Sequence, residues 1–170
     1  KSNLKEAEVS FRKTIELNPN DFNAHMTLGA TLLSVGKLEE AEASTRRSIE
    51  LNPNLFKSHF LLSSILIKEN KLKEAELSAS KATQLNPDFA PSHLNLGAIL
   101  KDLGKLKAAE ASTLKAIEIN PNYSMAYTNL GVILLNEATS NKASEAEMLE
   151  EGKEYLRRAV ELDPMAEEAN

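Results

Sequence analysis

The chain of 170 residues contains no cysteine, and no apolar run in it approaches the length of a membrane span. Without cysteine it can form neither a disulfide nor a thiolate metal site. A spanning helix needs ~18 apolar residues, and no such segment and no signal-peptide pattern is present. We therefore expect no membrane partner, and a cytoplasmic location is favoured.

The chain also lacks an excess of positive charge. The net charge is −5; residues 1–136 carry 16 basic and 15 acidic side chains, whereas residues 137–170 carry 4 basic and 10 acidic ones. A protein that binds nucleic acid presents a basic stripe to the phosphate backbone. Neither part of the chain offers one, so we expect no nucleic-acid partner.

The sequence also lacks the patterns of a catalytic site. It has no glycine-rich phosphate loop and no histidine–carboxylate set that stands out from ordinary helix-surface charge. His25, His59 and His93 recur at equal intervals, but neighbouring helices pack ~8–10 Å apart, and zinc needs ligands at ~2.0–2.1 Å. We interpret these histidines as packing residues and predict a non-enzyme without metal or cofactor.

The chain does contain a short repeated motif: Leu-Asn-Pro-Asn or a close variant occurs four times. Its prolines, Pro19, Pro53, Pro87 and Pro121, are equally spaced along the chain, and a fifth copy ends later, at Pro164. A fixed period of roughly 20 to 50 residues indicates a stack of small supersecondary units. Each such unit packs mainly on its neighbours, and the stack contains no built-in chemical site.

Each full repeat contains two helical segments. In the first repeat, Leu28, Leu32 and Val35 recur at spacings of four and three, which is one face of a helix. This pattern predicts a first helix over about Asn23–Val35 and a second over about Leu38–Leu51. No segment shows the alternation of a strand, so the fold class is all-α.

The breaks between these helices have a composition of their own. Gly36, Asn70 and Gly104 occupy equivalent places, and Gly and Asn tolerate the left-handed backbone at a helix C-terminus. Each break therefore predicts the turn of a helical hairpin. Asn-Pro ends the second helix, because proline disfavours helical geometry in the residue before it. The residue after each proline is a candidate N-cap for the next helix: Asn20, Asn54, Asp88 and Asn122.

Small residues recur where two helices would cross. One set lies on the first helix and one on the second: Gly29, Ser63, Gly97 and Gly131, and Ala7, Ala41, Ala75 and Ala109. A glycine inside a helix costs ~1 kcal/mol relative to alanine, so its recurrence needs a packing reason. We predict a close helix crossing in each hairpin.

At these residues the sequence resembles the tetratricopeptide repeat family, whose signature is the Leu-Gly pair, the alanine and the terminal proline at this period. The resemblance implies a right-handed superhelical solenoid of antiparallel helix-turn-helix hairpins, covering residues 1–170 as a single array. Because Lys1 begins in mid-repeat, we expect a piece of a longer protein. The repeats are 1–21 (second helix only), 22–55, 56–89, 90–123 and 124–166, with 167–170 as the start of a truncated next helix.

The repeat at 124–166 is expanded. It carries about nine extra residues near 138–146, after which the pattern resumes. The insertion must widen the turn between two helices, and its Ala and Glu content would permit an extra helical turn.

In the tetratricopeptide family the first helices line the concave surface. Steps of three or four residues place these side chains on it: Asn23, Met26, Ala30, Leu33; Lys57, Phe60, Ser64, Ile67; Pro91, Leu94, Ala98, Lys101; Met125, Thr128, Val132, Leu135. Many are apolar, and an exposed apolar stripe marks an interaction site. The alternative is that part of the stripe is interior.

Asparagines add a second indication of peptide binding. In similar arrays of sugar-transferring enzymes, a row of asparagines grips the backbone of a bound peptide. Asn95 and Asn129 occupy such places here, but Thr27 and Leu61 replace them in the other repeats, so the row is half present. The alternative is that they are solvated polar residues. The predicted peptide-contacting residues are Met26, Leu33, Phe60, Ile67, Leu94, Asn95, Lys101, Thr128, Asn129 and Val132.

The resemblance therefore implies a protein–protein interaction scaffold that binds a peptide or partner segment in its concave groove. Two alternatives remain open. The array could be the non-catalytic arm of a larger transferase-type enzyme, or it could associate with itself through its groove or its ends. The lysine-and-asparagine clamp of chaperone-adaptor repeats, which holds a C-terminal carboxylate, is not recognisable, since Met26 and Ala30 stand where it needs polar residues.

Overall fold

The computed structural model describes residues 2–140 and 145–164, and within them it contains nine α-helices and no strand, which confirms the all-α prediction. None of these helices is both long enough and apolar enough to cross a lipid bilayer. The chain divides into two compact units, Lys1–Pro87 and Asp88–Asn170. The first contains α1 (Ser2–Leu17), α2 (Phe22–Ser34), α3 (Leu38–Leu51), α4 (Phe56–Lys68) and α5 (Leu72–Leu85); the second contains α6 (Ala90–Asp102), α7 (Leu106–Ile119), α8 (Ser124–Ser140) and α9 (Glu145–Leu162).

The first unit is built from two hairpins and one further helix. Helix α2 pairs with α3, and α4 with α5; between them, α1 packs on α2, α3 on α4, and α2 on α4. A core cluster of Leu28, Leu32, Ala41 and Ile65 joins α2, α3 and α4. The apolar period therefore predicted the helix pairs correctly, with α2 beginning and ending one residue earlier than expected.

The second unit consists of the hairpins α6–α7 and α8–α9, with α8 also contacting α6 and α7. Helices α8 and α9 have 17 and 18 residues, against 13 and 14 for α6 and α7. The expanded repeat therefore adds about one turn to each of its helices. Residues 141–144 of the insertion, and the predicted helix start at 167–170, lie outside the described residues.

Left-handed backbone occurs at the predicted hairpin turns. Gly36, Asn70 and Gly104 have φ angles of 80°, 59° and 73°. These values confirm the prediction, because L-residues other than Asn and Asp rarely adopt this conformation. The equivalent place in the last repeat is Ala138, which is fully buried inside α8. Alanine favours the helix there, so α8 continues where α6 ends.

The predicted N-caps are wrong by one residue. The observed N-cap residues are Asp21 for α2, Leu55 for α4 and Phe89 for α6, and α8 begins at Ser124. Each predicted residue therefore precedes the cap: Asn20, Asn54, Asp88 and Asn122. Of the caps of α2, α4 and α6, only the Asp21 side chain accepts hydrogen bonds from free backbone amides, those of residues 23 and 24. The residues after the prolines instead belong to a turn: Asn52 Oδ1 accepts from the amide of residue 54, at 3.2 Å, and Asn120 Oδ1 from that of residue 122, at 3.1 Å. A side-chain-to-backbone turn of this kind competes with capping.

The small residues do stand at close helix crossings. A Cβ atom on Gly29 would lie 3.2 Å from the carbonyl oxygen of Ala41, and one on Gly97 would lie 3.2 Å from that of Ala109. In the last hairpin a Cβ on Gly131 would lie 2.9 Å from the carbonyl oxygen of Gly152. A larger residue at Gly29 or Gly97 would need a shift or a smaller side chain on the facing helix, which confirms the packing reason inferred from the sequence.

Candidate functional site

The recurring histidines hold the turn that precedes their helix. The Nε2 atom of His25 lies 3.0 Å from the carbonyl oxygen of Pro19, and that of His59 lies 2.9 Å from the carbonyl oxygen of Pro53. Tyr127 occupies the equivalent place in the last repeat, and its hydroxyl donates to the Pro121 carbonyl at 3.1 Å. A ring that donates from its far edge is therefore what this position requires. Among the described residues, no group of three acidic or histidine side chains could hold a metal ion.

A repeated ionic network covers the second-helix side of the first unit. Glu42 accepts from Arg46 at 2.6 Å and from Lys71 at 2.7 Å, and Arg46 also donates to Glu74 at 2.8 Å. Hydrogen bonds from Lys71 and Arg46 lower the pKa of Glu42 to about 2. The same pattern lies one repeat earlier, where Glu8 accepts from Lys37 and Arg12 and Arg12 also contacts Glu40. These charges are neutralised by one another and leave no open charged site.

The predicted residues of the first unit lie on two neighbouring helices. Met26 and Leu33 lie on α2, Phe60 and Ile67 lie on α4, and all four are half-buried. Helices α2 and α4 contact each other. Leu33 also packs against the core cluster. Together with Lys57 and Lys68, these four residues are named the α2–α4 face.

The two lysines of the α2–α4 face were not among the predicted site residues. Lys57 is the second residue of α4 and Lys68 is its last; both are exposed, and neither forms an ion pair within the described residues. Neither α2 nor α4 contains a carboxylate. Glu69 directly follows α4, but its carboxylate is 3.0 Å from the Lys71 ammonium. The spacing of the two lysines, which is about three helical turns, was the sequence signal that could have identified Lys68.

In the second unit the predicted residues have more varied surroundings. Leu94 is only 8% exposed and lies in a core cluster of α6, α7 and α8, so its side chain is interior. Val132 is half-buried, and Thr128 is exposed with its hydroxyl donating to the Ser124 carbonyl at 3.3 Å. The ammonium of Lys101 lies 3.4 Å from the carboxylate of the adjacent Asp102.

The two asparagines are both half-buried, and Asn129 has a structural contact. Its side-chain amide donates to the Thr113 hydroxyl at 2.9 Å, which links α8 to α7. The same amide nitrogen would lie 3.4 Å from a Cβ on Gly97, as the Leu61 side chain would from a Cβ on Gly29. Asn129 therefore fills the packing position that leucine fills in the first unit.

The extra turn of α8 carries a buried carboxylate. Glu137 is 5% exposed, and its Oε2 atom accepts from the Lys107 ammonium at 2.7 Å. Lys107 also reaches Glu110 at 3.2 Å, so one ammonium serves two carboxylates. Beside this pair lies an open cavity of about 660 Å³, lined by residues 104–108, Glu137 and Met148.

Comparison with protein families gives matches along most of the chain. Three models, each described as a tetratricopeptide repeat, match residues 90–123, residues 10–43 and 113–147, and residues 56–89. A search of curated proteins gives no match.

Solved structures of the same architecture are numerous, at low sequence identity. MamA superposes with a TM-score of 0.82 at 20% identity, over 98% of this chain and 92% of that one. A MamA segment from Desulfovibrio magneticus RS-1 gives 0.81 at 18% identity, over 95% and 86%. YrrB, described as a TPR protein with an unusual peptide-binding site, gives a TM-score of 0.76 at 21% identity, over 96% of this chain and 79% of that one. At these identities the likeness establishes the fold, a solenoid of helical hairpins.

Proposed function

Because the chain belongs to the tetratricopeptide repeat family, we propose that it is a protein–protein interaction scaffold that binds a peptide segment of its partner on its first helices. Arrays of this kind offer long surfaces and rely on them for function. The proposal assigns the chain binding rather than catalysis. YrrB, a structure of the same fold, is described as having a peptide-binding site, which supports the proposed mode.

The observation that carries the proposal is the apolar character of the α2–α4 face. Met26, Phe60 and Ile67 remain partly accessible on adjacent helices, as does Leu33, which also packs against the core cluster. Apolar side chains grouped on an accessible surface mark an interaction site. Interfaces also gain most of their affinity from a few apolar or aromatic anchors, and Phe60 is the largest side chain available here.

The second unit carries predicted contact residues of its own, and they are more polar. We assign contacts with the peptide backbone to Asn95, Thr128 and Asn129, and flanking contacts to Lys101 and Val132, all of which are at least partly accessible. Leu94 receives no contact role, since its burial makes it part of the core. A helical ligand would present anchors at i, i+3 or i+4, and an extended one would present alternate residues.

The test uses a library of random peptides displayed on phage and selected on the chain. Synthetic copies of the selected peptides should bind the double variant Phe60→Ala/Ile67→Ala at least about tenfold more weakly than the wild type, as expected for the loss of interface anchors. Leu77→Ala is the matched control, because Leu77 is an apolar residue that is 73% exposed on α5, away from this face. Urea denaturation would establish that both variants fold. Equal binding by all three proteins would refute the proposal.

Self-association of the array is the alternative to this proposal. Light scattering over a concentration range tests it: a mass that rises with concentration would show association, and a constant monomeric mass would exclude it. The role of non-catalytic arm in a larger transferase-type enzyme is the other alternative, and the complete reading frame decides it.

A further inference from the structure

We propose that the α2–α4 face selects acidic partner segments, in which apolar anchors lie between two carboxylate side chains that pair with Lys57 and Lys68. This inference rests on the proposed function and narrows it to one class of partner. It concerns side-chain carboxylates along the segment rather than the carboxylate at a chain terminus.

The first argument is the charge of the two helices. Neither α2 nor α4 contains an Asp or Glu, and their only charged side chains apart from histidine are Lys57 and Lys68. The neighbouring second helices are different: α3 alone carries four glutamates and two arginines, most of them paired. A surface with cations and no anions attracts anionic partners and repels cationic ones.

The second argument is the position of the two lysines. Successive residues of a helix are rotated by about 100°, so Lys57 and Lys68 differ by only about 20° around the axis of α4. Phe60 and Ile67 lie between the lysines along its length, and all four residues fall within an arc of about 100° around the axis. An apolar anchor on this face is therefore flanked by an ammonium group at each end.

The third argument is the distance between these charges. The stretch of helix from Lys57 to Lys68 rises by about 16 Å, which is too far for two lysines to converge on one carboxylate. An extended segment covers that distance in about five residues, at about 3.3 Å each. The face therefore fits a segment with two acidic side chains roughly that far apart and apolar residues between them.

The fourth argument is that the described residues contain no competing ion-pair partner for these two lysines. The ammonium groups of Lys37, Lys71 and Lys107 are all held by glutamates. Lys57 and Lys68 are not paired within the described residues, and Glu69 is engaged by Lys71. A partner carboxylate therefore displaces no internal ion pair when it binds.

The experiment selects phage-displayed random peptides whose C-termini are fused to the coat protein, so that no free terminal carboxylate is offered. We expect the selected sequences to be enriched in Asp and Glu on both sides of apolar residues. Their synthetic amidated copies should bind Lys57→Glu/Lys68→Glu at least about tenfold more weakly than the wild type, and binding should weaken as salt increases. The double variant Lys57→Gln/Lys68→Gln separates loss of pairing from added repulsion.

The matched control is Lys73→Glu/Lys81→Glu, two exposed lysines of α5 whose reversal changes the net charge equally. Binding to it should stay within about twofold of the wild type if the lysines of α4 act through close pairing. Equal losses of affinity in Lys57→Glu/Lys68→Glu and Lys73→Glu/Lys81→Glu would overturn the inference, because they would reflect overall charge alone.

The remaining outcomes separate this inference from the function on which it rests. Selected peptides without acidic enrichment that still lose affinity for Phe60→Ala/Ile67→Ala would overturn the charge selectivity and leave the scaffold intact. Acidic peptides that bind this apolar variant as well as the wild type would overturn the proposed site. Selection of no peptide at all would overturn both.

Discussion

Gly97 of α6 lies directly against the hydroxyl of Thr113 on α7, so closely that a Cβ atom at position 97 would overlap Thr113 Oγ1. Gly29 and Thr45 repeat this relationship in the first hairpin. In the repeat between them the pair is Ser63 with Ala79, both fully buried. A larger residue on the first helix thus coincides with a smaller one on the second, as expected where two helices share a fixed volume.

This pairing of a larger residue with a smaller one predicts that a second substitution can restore stability lost through the first. Gly97→Ser should lower the free energy of unfolding by about 1–3 kcal/mol, because the Thr113 hydroxyl is held by bonds to Ala109 and Asn129 and cannot turn away freely. Adding Thr113→Ala reproduces the Ser63–Ala79 pair and should restore at least about 1 kcal/mol of that loss. Urea denaturation of the wild type, both single variants and the double variant measures this coupling. Additive losses would contradict the shared-volume explanation.

Asn129 offers a way to separate packing from peptide binding. Asn129→Leu installs the residue found at the equivalent Leu61, and Thr113 keeps its bond to the Ala109 carbonyl. The free energy of unfolding should therefore change by no more than about 1 kcal/mol. Peptides selected on the wild type should bind this variant more weakly if Asn129 contacts their backbone. Unchanged affinity in a folded variant would remove Asn129 from the site.

Tyr127→Phe tests the bond that anchors a turn. The variant keeps the ring contact with Tyr155, whose centroid is 6.1 Å away, and loses only the hydroxyl that donates to Pro121. The expected loss of stability is about 0.5–1.5 kcal/mol. Tyr123→Phe is the control, because burial raises the pKa of Tyr123 and its hydroxyl forms no hydrogen bond within the described residues. An equal effect of the two substitutions in thermal denaturation would argue against the anchoring role.

The network around Glu42 predicts an acid-sensitive contribution to stability. The pKa of Glu42 is about 2 in the folded chain, below its ordinary value of 4.5, so the unfolded chain takes up the proton first as pH falls. Its contribution is therefore complete above about pH 4.5 and is lost as pH falls toward 2. Arg46 and Lys71 are over 40% exposed, and solvent weakens their interaction with Glu42. We therefore expect Glu42 to contribute about 1–2 kcal/mol to the free energy of unfolding, which is less than its pKa shift alone would give.

Glu42→Gln should accordingly flatten the dependence of unfolding free energy on pH across this window. Glu50→Gln is the control, since Glu50 is 63% exposed and pairs only with Arg47 within the described residues. Urea denaturation at pH values between about 2 and 6 gives both curves. If wild type and Glu42→Gln lose stability in parallel, the carboxylate does not carry the effect.

The buried carboxylate of the expanded repeat should depend on its lysine. Lys107→Met removes the counter-charge from Glu137 and should cost about 1–3 kcal/mol, because the carboxylate stays buried without an ammonium partner. Adding Glu137→Leu places at position 137 the residue that Leu103 supplies one repeat earlier, and should recover the loss. The four proteins of this cycle are compared by urea denaturation. A Lys107→Met variant as stable as the wild type would show that the pair contributes nothing.

The sequence predicted the hairpins well because their causes are local. Left-handed turns at Gly36 and Gly104, and the apolar period of each helix, are properties of short segments. The N-caps were misplaced because the asparagine before each proline organises the turn through its side chain, a choice that residue preference alone does not decide. For the candidate site, the sequence identified Met26, Phe60 and Ile67 as accessible residues, but it also included Leu94, which is buried by contacts with α7 and α8.

By itself, then, the sequence determined the repeat period, the helical hairpins and the family, since these follow from spacing and from backbone preferences that act within a few residues. The tertiary structure decided which side chains pack inside the chain and which remain accessible to a partner. It placed Asn129 against Thr113, Leu94 in the core and Glu137 beside Lys107, while it left Lys57 and Lys68 unpaired within the part of the chain that it describes. Those outcomes depend on neighbours far away in the chain, which meet only when the helices pack.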